Sequence, residues 1–148
     1  METKSKEGIT TVIKHLDVRE DELAQIRAKY PKGTSIHLIK MGKDPQPIPP
    51  HTLGTVQYVD DMGTIHMSWK TGSSLGLIIG EDEFEIIHPT KVTLKWSHGP
   101  EITRVFARKS EAVVFAAEAI MTCADKRWTA PTVTYEDAKV GDLADAYY

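Results

Sequence analysis

Between Tyr30 and Ile87 short apolar runs alternate with turn residues, the pattern of several short strands in one small barrel. Thr34 to Met41 predicts a strand with Ile36 and Leu38 on one face. Gly54 to Val59 predicts the next, with Thr55, Gln57 and Val59 alternating against Val56 and Tyr58. Asp60-Asp61-Met62-Gly63 reads as a tight hairpin with Gly63 at positive φ. Thr64 to Trp69 returns, placing Ile65, Met67 and Trp69 together. Ser74 to Ile79 is the expected fourth strand, Glu81 to Phe84 a single helical turn, and Glu85 to Ile87 a last short strand. Between the first two strands, Pro45, Pro47, Pro49 and Pro50 exclude helix and interior strand, so this segment is an exposed, stiff loop.

The flanks carry helical patterns. Asp17 and Glu20 have capping-box spacing, Leu23, Ile26 and Tyr30 recur at helical spacing, and Pro31 and Gly33 end the helix. After the barrel, Lys91 to Trp96 and Glu101 to Arg108 read as two strands around Ser97-His98-Gly99-Pro100. Ser110 is the expected cap of a helix whose core stripe is Val113, Ala117, Ile120, Met121 and Ala124. Thr132 to Tyr135 adds a candidate edge strand, and Glu136 to Tyr148 reads as an acidic, loosely held tail. The expected fold class is α+β. A lead-in helix (1–30) and a small SH3-like barrel (31–90) precede a ββα unit (91–135) and the tail (136–148). The join Ile86-Ile87-His88-Pro89-Thr90 is too short and apolar for a free linker. The ββα unit is therefore expected to pack on the barrel, with the stripe at Val113 joining the apolar surface between them.

Three blocks, YPKGTSIHLIKM, GTVQYVDDMGTIHMSW and GSSLGLIIGEDEFEII, resemble a family catalogued as domain of unknown function 4314. The resemblance covers the lead-in helix and the barrel. Lys70 stands where the family usually has an acidic residue, and Ile79 where it usually has proline. The resemblance implies an origin in phages, plasmids or conjugative elements and carries no activity.

Composition narrows the function classes. The 148 residues carry a formal net charge of −3, which argues against general nucleic-acid binding. Charge is uneven, however: residues 91–128 hold seven basic and four acidic side chains. Lys91, Lys95, Arg104, Arg108, Lys109 and Lys126 are the candidate nucleic-acid contacts of that region. Cys123 is the single cysteine, so no intramolecular disulfide forms, and its place late in a helix fits a buried structural thiol. The start lacks the apolar core of a signal peptide, and no apolar run approaches membrane-spanning length; a cytosolic compartment is expected.

No histidine pair has the spacing of a helical zinc site, and no phosphate loop or serine elbow is present. His37 and His66 on neighbouring strands are the one metal pairing weighed, against histidines bonded to solvent or backbone. The expectation is no metal, no cofactor and no enzymatic activity. The favoured function is an accessory protein of a phage or mobile element that binds a host or phage protein, in one form inhibiting a host defence factor. Its candidate contacts are Asp60 and Asp61 on an acidic face, Pro45, Pro47 and Pro49 in the stiff loop, and Trp128 with Arg127. Trp128 is the aromatic expected to be exposed. Nucleic-acid binding and binding of a small, nucleotide-like ligand are the alternatives.

Overall fold

A computed structural model describes residues 19–144. The expected capping box begins at Asp17 and the paired tyrosines lie at 147 and 148, outside the described residues. The fold is α+β, with two helices and two antiparallel sheets. Helix α1 spans residues 19–29. It docks through Leu23 and Ile26, and Tyr30 just beyond it is buried in the first core. Strands β1 (Ser35–Lys40), β2 (Leu53–Val59), β3 (Ile65–Trp69) and β4 (Glu83–Ile87) follow, in the spatial order β3-β2-β1-β4. Ile36, Leu38, Val56, Ile65, Met67, Trp69 and Leu77 form the core of this unit.

Two local features depart from strict alternation. The β2–β3 register shifts between Val56 and Tyr58, so Val56 and Val59 share the buried face while Tyr58 is exposed. Such a bulge inserts one residue and turns the following side chains over. Gly54 lies against the Trp69 ring, where an added Cβ would come within 2.5 Å. A side chain at that position would displace the largest residue of this core.

The expected fourth strand is reduced to two isolated bridges, Leu77 to Ile65 and Ile79 to Asp82, and the sheet stays open rather than closing into a barrel. The cause is local. The Leu75 carbonyl accepts from the Trp69 indole at 2.7 Å, and the Asp82 carboxylate accepts from the Ile78 N–H at 2.8 Å. Side chains thus satisfy backbone groups that a ladder would otherwise use. The expected helical turn at Glu81 to Phe84 is a tight turn ending in β4, which begins at Glu83.

The second unit consists of β5 (Thr90–Lys95), β6 (Glu101–Phe106), α2 (Lys109–Asp125) and β7 (Thr132–Asp137). Its sheet has the order β6-β5-β7, so the ββα expectation is completed to ββαβ by β7. Arg108, not Ser110, is the helix N-cap, and its backbone N–H donates to Glu111 at 3.3 Å. Ser110 lies inside the first turn because the helix begins one residue before it.

The buried face of α2 is also not the expected one. Ala112, Ala116 and Cys123 are buried, with Phe115 and Ala119 packed beside Val92 and Leu94. Val113, Ile120 and Met121 are 43%, 40% and 65% exposed. The alanines permit a close approach of helix to sheet, whereas the larger side chains are left outside.

The two units meet through Leu53, Ile87, Ala107, Val140 and Leu143, with Val105 against them. Direct packing thus occurs, but through strand ends and the C-terminal segment rather than through the Val113 stripe. The supposed loose tail is structured to its last described residues. β7 runs to Asp137, a 3₁₀ turn covers Val140–Asp142, and Lys70 donates to the Leu143 and Ala144 carbonyls at 3.3 and 2.7 Å.

Candidate functional site

Polar side chains converge at the joint between the units. His37 on β1 stands directly opposite Glu85 on β4. Glu85 Oε2 accepts from His37 Nδ1 at 2.7 Å and from the Arg108 guanidinium at 2.6 Å. His37 Nε2 lies 3.1 Å from His51 Nδ1, and the two rings stack with centroids 5.2 Å apart. Arginine only donates, so its 3.3 Å approach to His37 Nδ1 reflects two donors sharing one oxygen. When His37 is neutral and donates from Nδ1 to Glu85, its Nε2 is left as the acceptor for the His51 Nδ1–H. Arg108, and then His37, hold the Glu85 carboxyl below the usual range. This arrangement clasps β1, β4 and the start of α2 together. Among the described residues no three metal-ligating side chains converge. His37 and His66 do not meet. His66 instead bonds Asp60 at 2.8 Å and stacks on Tyr58 with centroids 4.3 Å apart.

An apolar cleft opens at the far end of the second unit. It has a volume of about 430 Å³ and is walled by Trp96, His98, Gly99, Pro100, Trp128 and Thr129. Two local structures build it. The β5–β6 hairpin presents Trp96 and Pro100, and the Trp96 indole N–H donates to the Thr129 carbonyl at 3.0 Å. That bond ties the hairpin to the chain leaving α2. On the other side α2 ends in a Schellman motif. Trp128 N–H bonds the Cys123 carbonyl at 2.8 Å, Arg127 N–H bonds the Ala124 carbonyl at 3.1 Å, and Arg127 adopts φ 58°. This reversal swings Trp128 out of the helix, leaving it 61% exposed with Lys126 Nζ 5.2 Å from its ring centre.

The remaining candidates are dispersed. Asp60 is a turn residue whose carboxylate accepts from the Met62 and Thr64 N–H groups and from His66, which together hold its pKa below the usual value, His66 foremost. Asp61 points outward and pairs with Arg27 of α1 at 2.9 Å. Pro45, Pro47 and Pro49 are exposed, as the loop reading expects, but buried Ile48 anchors the loop on the first core. The basic residues do not gather on one face. Lys91 and Lys95 lie opposite Glu136 and Glu101 as cross-strand partners. Arg104 lies on the other face of the sheet, opposite Val92. Arg108 is engaged with Glu85, Lys109 lies over Tyr135, and Lys126 over Trp128.

The His37–Glu85–Arg108 clasp escapes sequence reasoning because it needs the β1–β4 pairing and the position of the α2 N-cap, which bring together residues up to 71 apart in the chain. The partners of Trp128 escape it similarly. A tryptophan just before a predicted turn and the proline that closes that turn are the signal that points to Trp96 and Pro100.

Residues 19–87 match the family described as Domain of unknown function (DUF4314). The match spans α1 and the sheet from β1 to β4, and ends where the second unit begins. No curated protein and no solved structure matches the chain. The cleft and all of α2 therefore lie in the part of the chain beyond the family match.

Proposed function

We propose that this protein acts by binding another protein rather than by catalysis, as an accessory protein of a phage or mobile element. The observation that carries this reading is the pairing of exposed Trp128 with Trp96 around one apolar cleft. Clustered tryptophans with a proline wall suit an extended apolar or proline-containing segment, which stacks on indole faces at low ordering cost. Lys126 lies over the Trp128 ring at the edge of the cleft and sets a positive charge there. The partner segment is therefore one with acidic residues beside its apolar core. In the first unit, the order β4-β1-β2-β3 with Leu77 joined to β3 supports an SH3-like relationship despite the open sheet.

The test is a panel of short peptides combining proline or aromatic residues with Asp and Glu, followed by tryptophan fluorescence. Saturable binding that shifts the emission and weakens at least about tenfold in Trp128→Ala supports the cleft. Binding unchanged in Trp128→Ala, or a response to nucleotides alone, overturns it. The host-directed form, inhibition of a defence factor, rests on the family resemblance. It predicts that cells expressing the wild-type protein, but not Trp128→Ala, become more permissive to phage plating.

A further inference from the structure

His51 occupies a backbone position that suits glycine. It follows Pro50 in the turn that closes the proline loop and has φ 70°, in the left-handed region. The turn is held on both sides: the His51 N–H donates to the Leu38 carbonyl at 2.6 Å, and the Leu38 N–H donates to the Thr52 carbonyl at 2.9 Å. A bulky side chain kept at a strained position points to a use for that side chain. Here it faces His37, which is buried on β1. The Nδ1 of His37 donates to Glu85 at 2.7 Å, and its Nε2 faces His51 Nδ1 at 3.1 Å. We propose that this pair binds a divalent cation of the zinc, copper and nickel class, with His37 Nε2 and His51 Nδ1 as its two protein ligands.

The spacing and the surroundings fit such an ion. Two tetrahedral zinc–nitrogen bonds set their nitrogens about 3.3 Å apart, so a slight opening of the pair and a rotation of the exposed His51 ring turn the hydrogen bond into a chelate. The protons balance. Neutral His51 releases its Nδ1 proton to water and takes one up at Nε2, so both rings stay neutral and both nitrogens facing the cation carry a lone pair. The bond from Glu85 to His37 Nδ1 is the carboxylate–histidine arrangement that fixes the tautomer and ring orientation of a metal ligand and raises its basicity. Arg108 also approaches His37 at Nδ1, the edge of the ring away from His51, and shares the Glu85 carboxylate, which separates it from the ion. Imidazole nitrogens favour zinc, copper and nickel over magnesium and calcium, which take oxygen ligands. Among the described residues no third ligating side chain joins the pair, so the other coordination positions go to water and the ion is exchangeable. Once bound, it ties β1 to the exit of the proline loop.

The test titrates zinc chloride into the full chain without an affinity tag, read by isothermal titration calorimetry and by the imidazole nitrogen signals in NMR. The expected result is one saturable site. Zinc moves the His37 and His51 nitrogen signals and leaves those of His66, which bonds Asp60, in place. His51→Gly removes one ligand while suiting φ 70°, so it keeps the fold, as circular dichroism checks. It is expected to weaken zinc binding at least about tenfold, since loss of an outer-shell partner alone costs that much. His88→Ala, at an exposed histidine elsewhere on the joint, leaves the affinity unchanged. Magnesium chloride gives no binding. The absence of saturable zinc binding up to millimolar concentration overturns the proposal. So does zinc binding undiminished in His51→Gly, an equal response to magnesium, or a first movement of the signals of histidines other than 37 and 51. The NMR readout on the unaltered chain decides the matter even where a variant fails to fold.

Discussion

Glu85 illustrates how much a single side chain can connect. It lies on a short edge strand, yet its carboxylate receives hydrogen bonds from His37 in the adjacent strand and from Arg108 at the start of α2. Both donors favour the ionised form, so the folded-state pKa is lowered. A lowered carboxylate pKa stabilises the fold above the ordinary value for glutamate, about 4.3. That contribution is lost as pH falls through the lower folded-state value. Glu85→Gln should accordingly lower the urea midpoint at neutral pH, with the difference from wild type vanishing near pH 3 or below. A difference independent of pH would show that the clasp is held by packing and not by charge. The residue was visible in the sequence only as one of several acids around a turn. Its role depends on which residue lies across the sheet from it.

At the scale of the element, α2 shows where periodicity stops being informative. Apolar residues sit at 112, 116, 119 and 123 and again, one position along, at 113, 117, 120 and 124. Both series satisfy helical spacing, so the pattern establishes a helix without choosing its buried face. The larger side chains suggest the second series, and the sheet took the first because alanines allow closer packing. The helix end makes a similar point. Arg127 reads as a cation placed for the helix dipole, but it occupies the left-handed position of a Schellman motif, where glycine is the unstrained residue. Arg127→Gly should raise stability by about 0.5–1 kcal/mol, the left-handed penalty less the added freedom of the unfolded chain. Chemical denaturation checks this. A loss of stability would mean that the arginine side chain holds the turn through contacts of its own.

For the whole molecule, the shared cluster at the joint makes the two units interdependent. Leu53 and Ile87 from the first sheet are covered by Val105, Ala107, Val140 and Leu143 from the second unit and its C-terminal segment. A fragment ending at Thr90 loses that cover together with the Arg108 partner of Glu85 and the carbonyls held by Lys70. Residues 1–90 alone should therefore unfold at a clearly lower denaturant midpoint than the full chain and aggregate more readily. A soluble fragment with an unchanged midpoint would show that the first unit folds independently.

Several features were determined by the sequence itself, because they follow from short-range chemistry. Four prolines kept the 42–52 segment out of sheet and helix, the Asp60–Gly63 turn formed where a positive φ was needed, and Ile65, Met67 and Trp69 alternated into the core. The β1 to β4 strand positions, apart from the fourth expected strand, follow from the same local rules. Tertiary structure decided whatever required two distant segments to compete for the same partner. The fourth strand dissolved because the Trp69 indole and the Asp82 carboxylate took backbone groups it needed. The face of α2 was chosen by its distance to a sheet, and the tail was ordered because Val140 and Leu143 fill space beside Leu53 and Ile87. The Trp96–Trp128 cleft exists only because a hairpin tip and a helix end, 32 residues apart, arrive at one place. Local propensity constrains each segment alone, while burial is a property of the pair.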